Sequence, residues 1–225
     1  MVILHTFDWR FEDIDFHIDD IAVCGYDAIL TPPINFSPKP SHGKGPWWLR
    51  YQPLDYRILH NGLGDKRSFQ RLIESSKQHG VAIIADVVLN HMANESINNG
   101  LHYPNHNIIS TYSRKQHVVG PNHHFSNLSE PSFTEESFEP RVVIDDWLDR
   151  GQVIKGRLTA NESDPGLPTL KHDQAVADTQ LDYLRSLVGL GVSGFRIDAA
   201  KHMCYDYLNA LFSNDGLDEL YKFGE

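Results

Sequence analysis

The sequence predicts an α/β chain that forms part of a (β/α)8 TIM barrel, strands 1–5 only, and three observations point there. Strand-like apolar runs alternate with helical segments, which implies parallel pairing with right-handed crossovers. Polar and aromatic residues cluster after strands 2, 3, 4 and 5, and in a barrel those loops share one rim. No Gly-x-Gly-x-x-Gly turn follows the first strand, which weakens the open doubly wound alternative.

Met1 to Phe7 reads as a short apolar strand, with Phe7 and Trp9 as an aromatic pair at its end. From Phe11 to Val23 the apolar residues Ile14, Ile18, Ile21 and Ala22 recur at helical spacing, and Gly25 closes the segment. Tyr26 to Leu30 is the second strand, stopped by Thr31-Pro32-Pro33. A long polar loop then carries Trp47, Trp48, Tyr51 and Gln52. Lys66 to His79 is an amphipathic helix: Phe69, Leu72 and Ile73 share a face, and Gly80 ends it. Val81 to Leu89 is apolar almost throughout, as a strand covered on both faces is.

The rhythm breaks between 92 and about 170, a stretch rich in Asn, His, Ser and Pro. It reads as an irregular inserted subdomain after strand 3, so the barrel part spans 1–91 and 171–225. Asp173 to Leu187 resumes the helical pattern, Val192 to Ile197 is the fourth strand, Cys204 to Phe212 a helix, and Leu220 to Phe223 the fifth strand.

A hydrophobic content of 40% with 22% charged residues is that of a globular chain. The net charge of -10 argues against nucleic acid and against an anionic membrane as partners, since both reward a basic face. No apolar run approaches the ~18 residues of a membrane span, and no signal peptide precedes the first strand, so the expectation is cytoplasmic. Cys24 and Cys204 are expected to be buried free thiols, with a long-range bridge as the alternative.

The chemistry concentrates at the end of the fourth strand. Arg196 and Asp198 lie two residues apart and therefore on one face of a strand, where the arginine orients the carboxylate and favours its ionised form. Such a pair at a strand's C-terminal end is either a catalytic centre or an ion pair that only fixes packing. His102, His106, His117, His123 and His124 of the insertion do not have the spacing of a zinc site.

Three motifs in order carry a resemblance. They are Trp47-Trp48-Leu49-Arg50-Tyr51-Gln52-Pro53, Asp86-Val87-Val88-Leu89-Asn90-His91 and Gly194-Phe195-Arg196-Ile197-Asp198-Ala199-Ala200-Lys201-His202, with Gly166-Leu167-Pro168-Thr169-Leu170 ahead of the last. Over nearly its whole length the chain resembles the α-amylase family of glycoside hydrolases, which act on starch-like α-glucans. The resemblance implies a retaining mechanism with Asp198 as nucleophile, Arg196 as its orienting partner and Glu225 as general acid/base; a solvated, frayed Glu225 is the alternative. It implies sugar contacts from His91, Tyr51, Gln52, Trp47, Trp48, Lys201 and His202, a supporting role for Asp86, and an α-glucan polysaccharide or oligosaccharide as partner. It also implies a calcium ion held by the Asn90 side chain and the His202 carbonyl. The family's aspartate ligand is replaced here by Thr169, for which Asp164 or Asp173 would have to substitute.

The family barrel has eight strands and a further aspartate after the seventh, and neither strands 6–8 nor that residue has a counterpart here. The expectation is therefore the N-terminal portion of a larger enzyme, with open barrel edges prone to self-association. The alternatives are an inactive α-glucan-binding protein and a non-functional truncated product.

Overall fold

The computed structural model describes residues 1–38, 43–57, 61–94, 132–162 and 164–225. Five strands, β1 (Ile3–His5), β2 (Ala28–Thr31), β3 (Ala82–Val88), β4 (Gly194–Asp198) and β5 (Tyr221–Gly224), form one sheet in sequence order. Every neighbouring pair is parallel. Unbroken sequence order with parallel crossovers makes the sheet a half-barrel, with β1 and β5 as its edges among the described residues.

The two faces of the sheet follow from the alternation of side chains along each strand. Ile29, Ile83, Ala85, Val87, Phe195 and Ile197 point outward into the main core, where Ile14, Ile18, Leu72, Leu184 and Leu187 of the helices meet them. The intervening positions point inward, where Ala28, Leu30 and Ile84 pack with Ile3 and Ala82. On this inner face the register sets Ile84 beside Gly194, and two residues further on Asp86 beside Arg196. Apolar layers at the base thus give way to charge at the C-terminal rim.

Helices cover the outer face. The apolar spacing expected to give one helix over 11–23 gives two, α1 (Phe11–Phe16) and α2 (Ile18–Val23). The break falls at His17 (φ −97°, ψ 12°), yet Ile14, Ile18 and Ile21 still face the core. α3 (Lys66–Gln78) opens on a capping box in which Asp65 accepts from the Ser68 amide (2.8 Å) and Ser68 Oγ accepts from the Asp65 amide (2.9 Å). In the insertion, a single-turn 3-10 segment (Glu135–Ser137) and α4 (Arg150–Lys155) are regular where only irregular chain was expected. α5 (Gln174–Leu190) starts on the Asp173 cap and stops at Gly191, whose φ of 113° disfavours any residue with a Cβ. α6 is Tyr205–Phe212.

The described part of the insertion packs in part against the barrel. Phe133, Phe138 and Leu170 belong to the main cluster, and bridges between His91 and Thr169 and between Phe138 and Leu170 stitch it to the end of β3. The clustered histidines of the insertion lie outside the described residues.

The thiols correct the expectation of burial: Cys24 and Cys204 are both free, but Cys24 is exposed and Cys204 half-buried. Each sits at a helix cap, Cys24 ending α2 and Cys204 preceding α6, beyond the buried face of its helix. Among the described residues no helix is long and apolar enough to cross a membrane.

Candidate active site

The end of β4 is the centre of an ion network. Arg196 Nη1 donates to both oxygens of Asp86 (2.9 and 2.7 Å) and to Asp198 Oδ1 (2.9 Å), while Nη2 donates to Glu225 Oε2. Parallel register explains the convergence: Asp86 and Arg196 are direct neighbours on β3 and β4, and Asp198 is the next inward residue. Glu225 follows β5 and is bonded through its backbone. Its amide donates to the Ile197 carbonyl (3.1 Å), and its carbonyl accepts from the Lys201 amide (3.1 Å).

Burial governs the protonation of these acids. Asp86 is fully buried, and loss of water pushes it up to about 7 against the pull of Arg196, with the Asp198 charge adding to the rise. Desolvation likewise pushes Asp198 up to about 6; Arg196 opposes this, and the Glu225 carboxylate reinforces it. Arg196 therefore favours the ionised form as expected, but burial outweighs it. Above pH 6 Asp198 is still mainly a carboxylate. Arg196 itself, between these charges, is raised even though burial pulls it down.

Above the network lies the loop segment Trp47–Tyr51, a 3-10 turn whose two tryptophans are exposed. Tyr51 Oη donates to Asp86 Oδ2 (3.0 Å), so this ring is tied to the ion network, and the Arg196 guanidinium carbon lies 5.8 Å from the ring centre. Trp47 (51% exposed) and Trp48 are not core residues. Together with Gln52, His91, Arg196, Asp198 and Glu225 these aromatics line a cavity of about 740 Å³. A concave site with aromatic walls and charge at one place suits a ligand with apolar faces and polar edges.

His91 is buried in the cavity wall, and both its ring nitrogens are engaged. Nε2 donates to the Tyr51 carbonyl (2.9 Å), which leaves Nδ1 to accept from Asn90 Nδ2 (3.4 Å). Desolvation lowers its pKa to about 4, and the Tyr51 hydrogen bond opposes that only in part. His91 is thus a neutral residue that fixes the Tyr51 backbone.

Two residues expected at the site are directed elsewhere. The His202 side chain is buried beneath the insertion, with Nδ1 bonded to the Val153 carbonyl (3.0 Å) and its ring edge-on to Trp147. Lys201 is exposed and outside the cavity lining. The residue that locks this corner is Arg150, which donates to the Lys201 and Met203 carbonyls from the first turn of α4. The structure also adds residues that the sequence reading did not assign to the site. His5 and Phe7 at the end of β1, Asn94 after β3, and Leu158, Thr159, Asp164 and Leu167 of the insertion all line the cavity. The rim argument applied to strands 2–5 holds equally for strand 1 and would have found His5 and Phe7.

Among the described residues, the donor set near Asn90 lacks the carboxylate that calcium would need at the position of Thr169. Asn90 Oδ1 is buried and unpaired, as a ligand atom would be. Thr169, however, stands where a carboxylate is needed, and its hydroxyl donates to the Gly156 carbonyl (2.9 Å). Asp164 accepts from Asn94 and from the Gly166 amide, and Asp173 caps α5, so each carboxylate is held in place through one of its oxygens. A neutral amide and backbone carbonyls leave the two charges of calcium uncompensated. Among the described residues no group of three His, Cys, Asp or Glu side chains could hold a metal.

Comparison with known proteins places these features in a family. The family profile described as Alpha amylase, catalytic domain, matches residues 11–215. The chain is 38% identical over 225 residues to an alpha-amylase of Aeromonas hydrophila, covering 100% of this chain and 47% of that protein. An alpha-amylase-related protein of Drosophila auraria is 31% identical over 217 residues, covering 94% of this chain and 39% of its own length. Among solved structures, a mutant of alpha-amylase I from Eisenia fetida in complex with maltohexaose superposes with a TM-score of 0.70 at 26% identity, covering 99% of this chain and 44% of that one. The chain spans about half or less of the length of these relatives.

Proposed function

Because the chain belongs to the α-amylase family of glycoside hydrolases, we propose that its cavity binds a starch-like α-glucan and that Asp198 and Glu225 cleave it with retention of configuration. The observation that carries this reading is the sharing of one guanidinium by two carboxylates on neighbouring strand ends, at the base of an aromatic-lined cavity. Both carboxyl groups accept from the nitrogens of one guanidinium, which holds them side by side. An inverting enzyme needs roughly 6.5–9.5 Å between them to seat a water. The maltohexaose held by the Eisenia fetida relative supports the substrate class.

The roles follow from position. Asp198, 13% exposed and oriented by Arg196, is the nucleophile that attacks the anomeric carbon and forms a glycosyl ester. Glu225, at the end of the neighbouring strand and bonded to the other nitrogen of the same guanidinium, is the group that protonates the departing glycosidic oxygen and then deprotonates the incoming water. Asp86 does not react; it holds Arg196 from behind. Tyr51, Trp47 and Trp48 offer ring surface to the sugar with Gln52 at their edge. A sugar contact from His91 would exchange the Tyr51 carbonyl for a hydroxyl.

Reducing-sugar release from soluble starch by the 225-residue chain tests this. Asp198→Asn and Glu225→Gln are each expected to lower the rate by about 10⁴-fold or more, as loss of a catalytic nucleophile does elsewhere. Wild-type rates in either variant would remove that residue from the mechanism.

A further inference from the structure

Phe7 is an exposed aromatic side chain on a turn whose flanking residues are held by polar contacts. Thr6, before it, is buried and bonds the Leu30 carbonyl through both its amide (3.1 Å) and its hydroxyl (3.0 Å). Asp8, after it, adopts φ 56°, and Lys44 Nζ holds both its carbonyl and its carboxylate at 2.8 Å. The turn is therefore fixed on both sides of Phe7 by polar contacts, while the Phe7 ring stays 44% exposed. Its ring centre lies 5.6 Å from that of Trp47 and 6.5 Å from that of Tyr51, nearly parallel to the latter at 24°.

These contacts change which aromatic surface is open. Tyr51 has Arg196 against its ring, Phe7 stacked beside it and its hydroxyl bound to Asp86. Phe7 and Trp47 are the rings of this cluster that face solvent at the cavity mouth. We propose that Phe7, with Trp47, is a sugar-stacking residue that extends the binding surface of an α-linked glucose oligosaccharide beyond Tyr51 and so favours longer chains. Each pyranose has an apolar face that an exposed ring can cover. The inference rests on the α-glucan reading of the cavity.

The test is titration calorimetry of maltohexaose and of maltose against the Asp198→Asn chain, which cannot consume them, with and without Phe7→Ala or Phe7→Tyr. The expected result is a loss of about ten-fold in maltohexaose affinity for Phe7→Ala, with a smaller loss for maltose. Phe7→Tyr restores it, and all variants melt alike. If Asp198→Asn binds maltohexaose and Phe7→Ala does not weaken it, this inference falls while the proposed function stands. If the Asp198→Asn chain melts cooperatively but binds neither sugar, the α-glucan reading falls and takes this inference with it. An equal loss for both sugars, or a loss that Phe7→Tyr does not restore, makes Phe7 a mere support for Tyr51 and overturns its role in chain length.

Discussion

The ion network below the cavity and the aromatic cluster at its mouth are about equally rich in interactions, but they are built on opposite terms. Asp86, Arg196 and Asp198 are held by charge in a place from which water is largely removed. Phe7 and Trp47 are held by ring contacts, and Trp48 beside them, in a place that water reaches freely. Charge pairs hold geometry and shift protonation only where they are desolvated. Ring surface binds a ligand only where it is not already covered. One site therefore needs both a dry base and a wet rim, and substitutions should separate the two.

The largest effect is expected at the base. Arg196→Met leaves the fully buried Asp86 and the nearly buried Asp198 without their counter-ion. Breaking a buried pair from one side costs about 3–5 kcal/mol, because the remaining charge is uncompensated. Urea unfolding should show a loss of that size, and adding Asp86→Asn should recover part of it, as coupled partners do. Trp48→Ala at the rim should change unfolding free energy by less than about 1 kcal/mol, as exposed substitutions generally do, while weakening maltohexaose binding. If the two variants lost similar stability, the division into a structural base and a binding rim would be wrong.

The pH dependence sharpens the same contrast at intermediate size. The proposed nucleophile works only when ionised, and Asp198 is pushed up to about 6 by burial. Activity should therefore fall tenfold per unit below pH 6, two units above where an unshifted aspartate would place the limb. The linked stability runs with the same sign for both buried acids. Their folded values of about 6 and about 7 exceed the unfolded one, so the stability they contribute is fully present at acid pH and is lost as pH rises through 6 and 7. His91, lowered to about 4, works the other way: its contribution is present above 6.5 and is lost as pH falls through 4. An acid limb near pH 4 in kcat/KM would show that Asp198 is solvated in the working enzyme.

Much of the base was legible in the sequence, and less of the rim. Arg196 and Asp198 share a strand face at a spacing of two, and period-2 geometry leaves them no other arrangement. The partner carboxylates were harder to rank. That Asp86 is Arg196's bidentate partner depends on the register of β3 against β4, which no local pattern specifies. His202 shows the limit most clearly: its motif pointed to the sugar, but its side chain turns away to bond Val153 of α4. A motif constrains where the backbone goes; side-chain direction depends on what packs there, and here a helix in a stretch without clear periodicity decided it. The single helix expected over 11–23 failed for a related reason, since apolar spacing reports the buried face and is indifferent to a break at His17.

The smallest expected effect is zero, and it lies in the corner where β3 meets the insertion. The Thr169 hydroxyl already satisfies the Gly156 carbonyl at the end of α4, so the two segments there are joined by a hydrogen bond that needs no ion. The chain should melt at the same temperature with excess chelator as with millimolar calcium, since a ligand stabilises only by binding the folded state. Thr169→Asp tests the argument from the other side. It removes the hydroxyl donor and restores a carboxylate at the position where the family's calcium ligand stands, on a segment bonded to the Asn90 backbone, so its melting temperature should fall without calcium and recover with it. A calcium-dependent melt in the wild-type chain would mean that backbone carbonyls and Asn90 suffice to hold the ion, and that Thr169 is a bystander there.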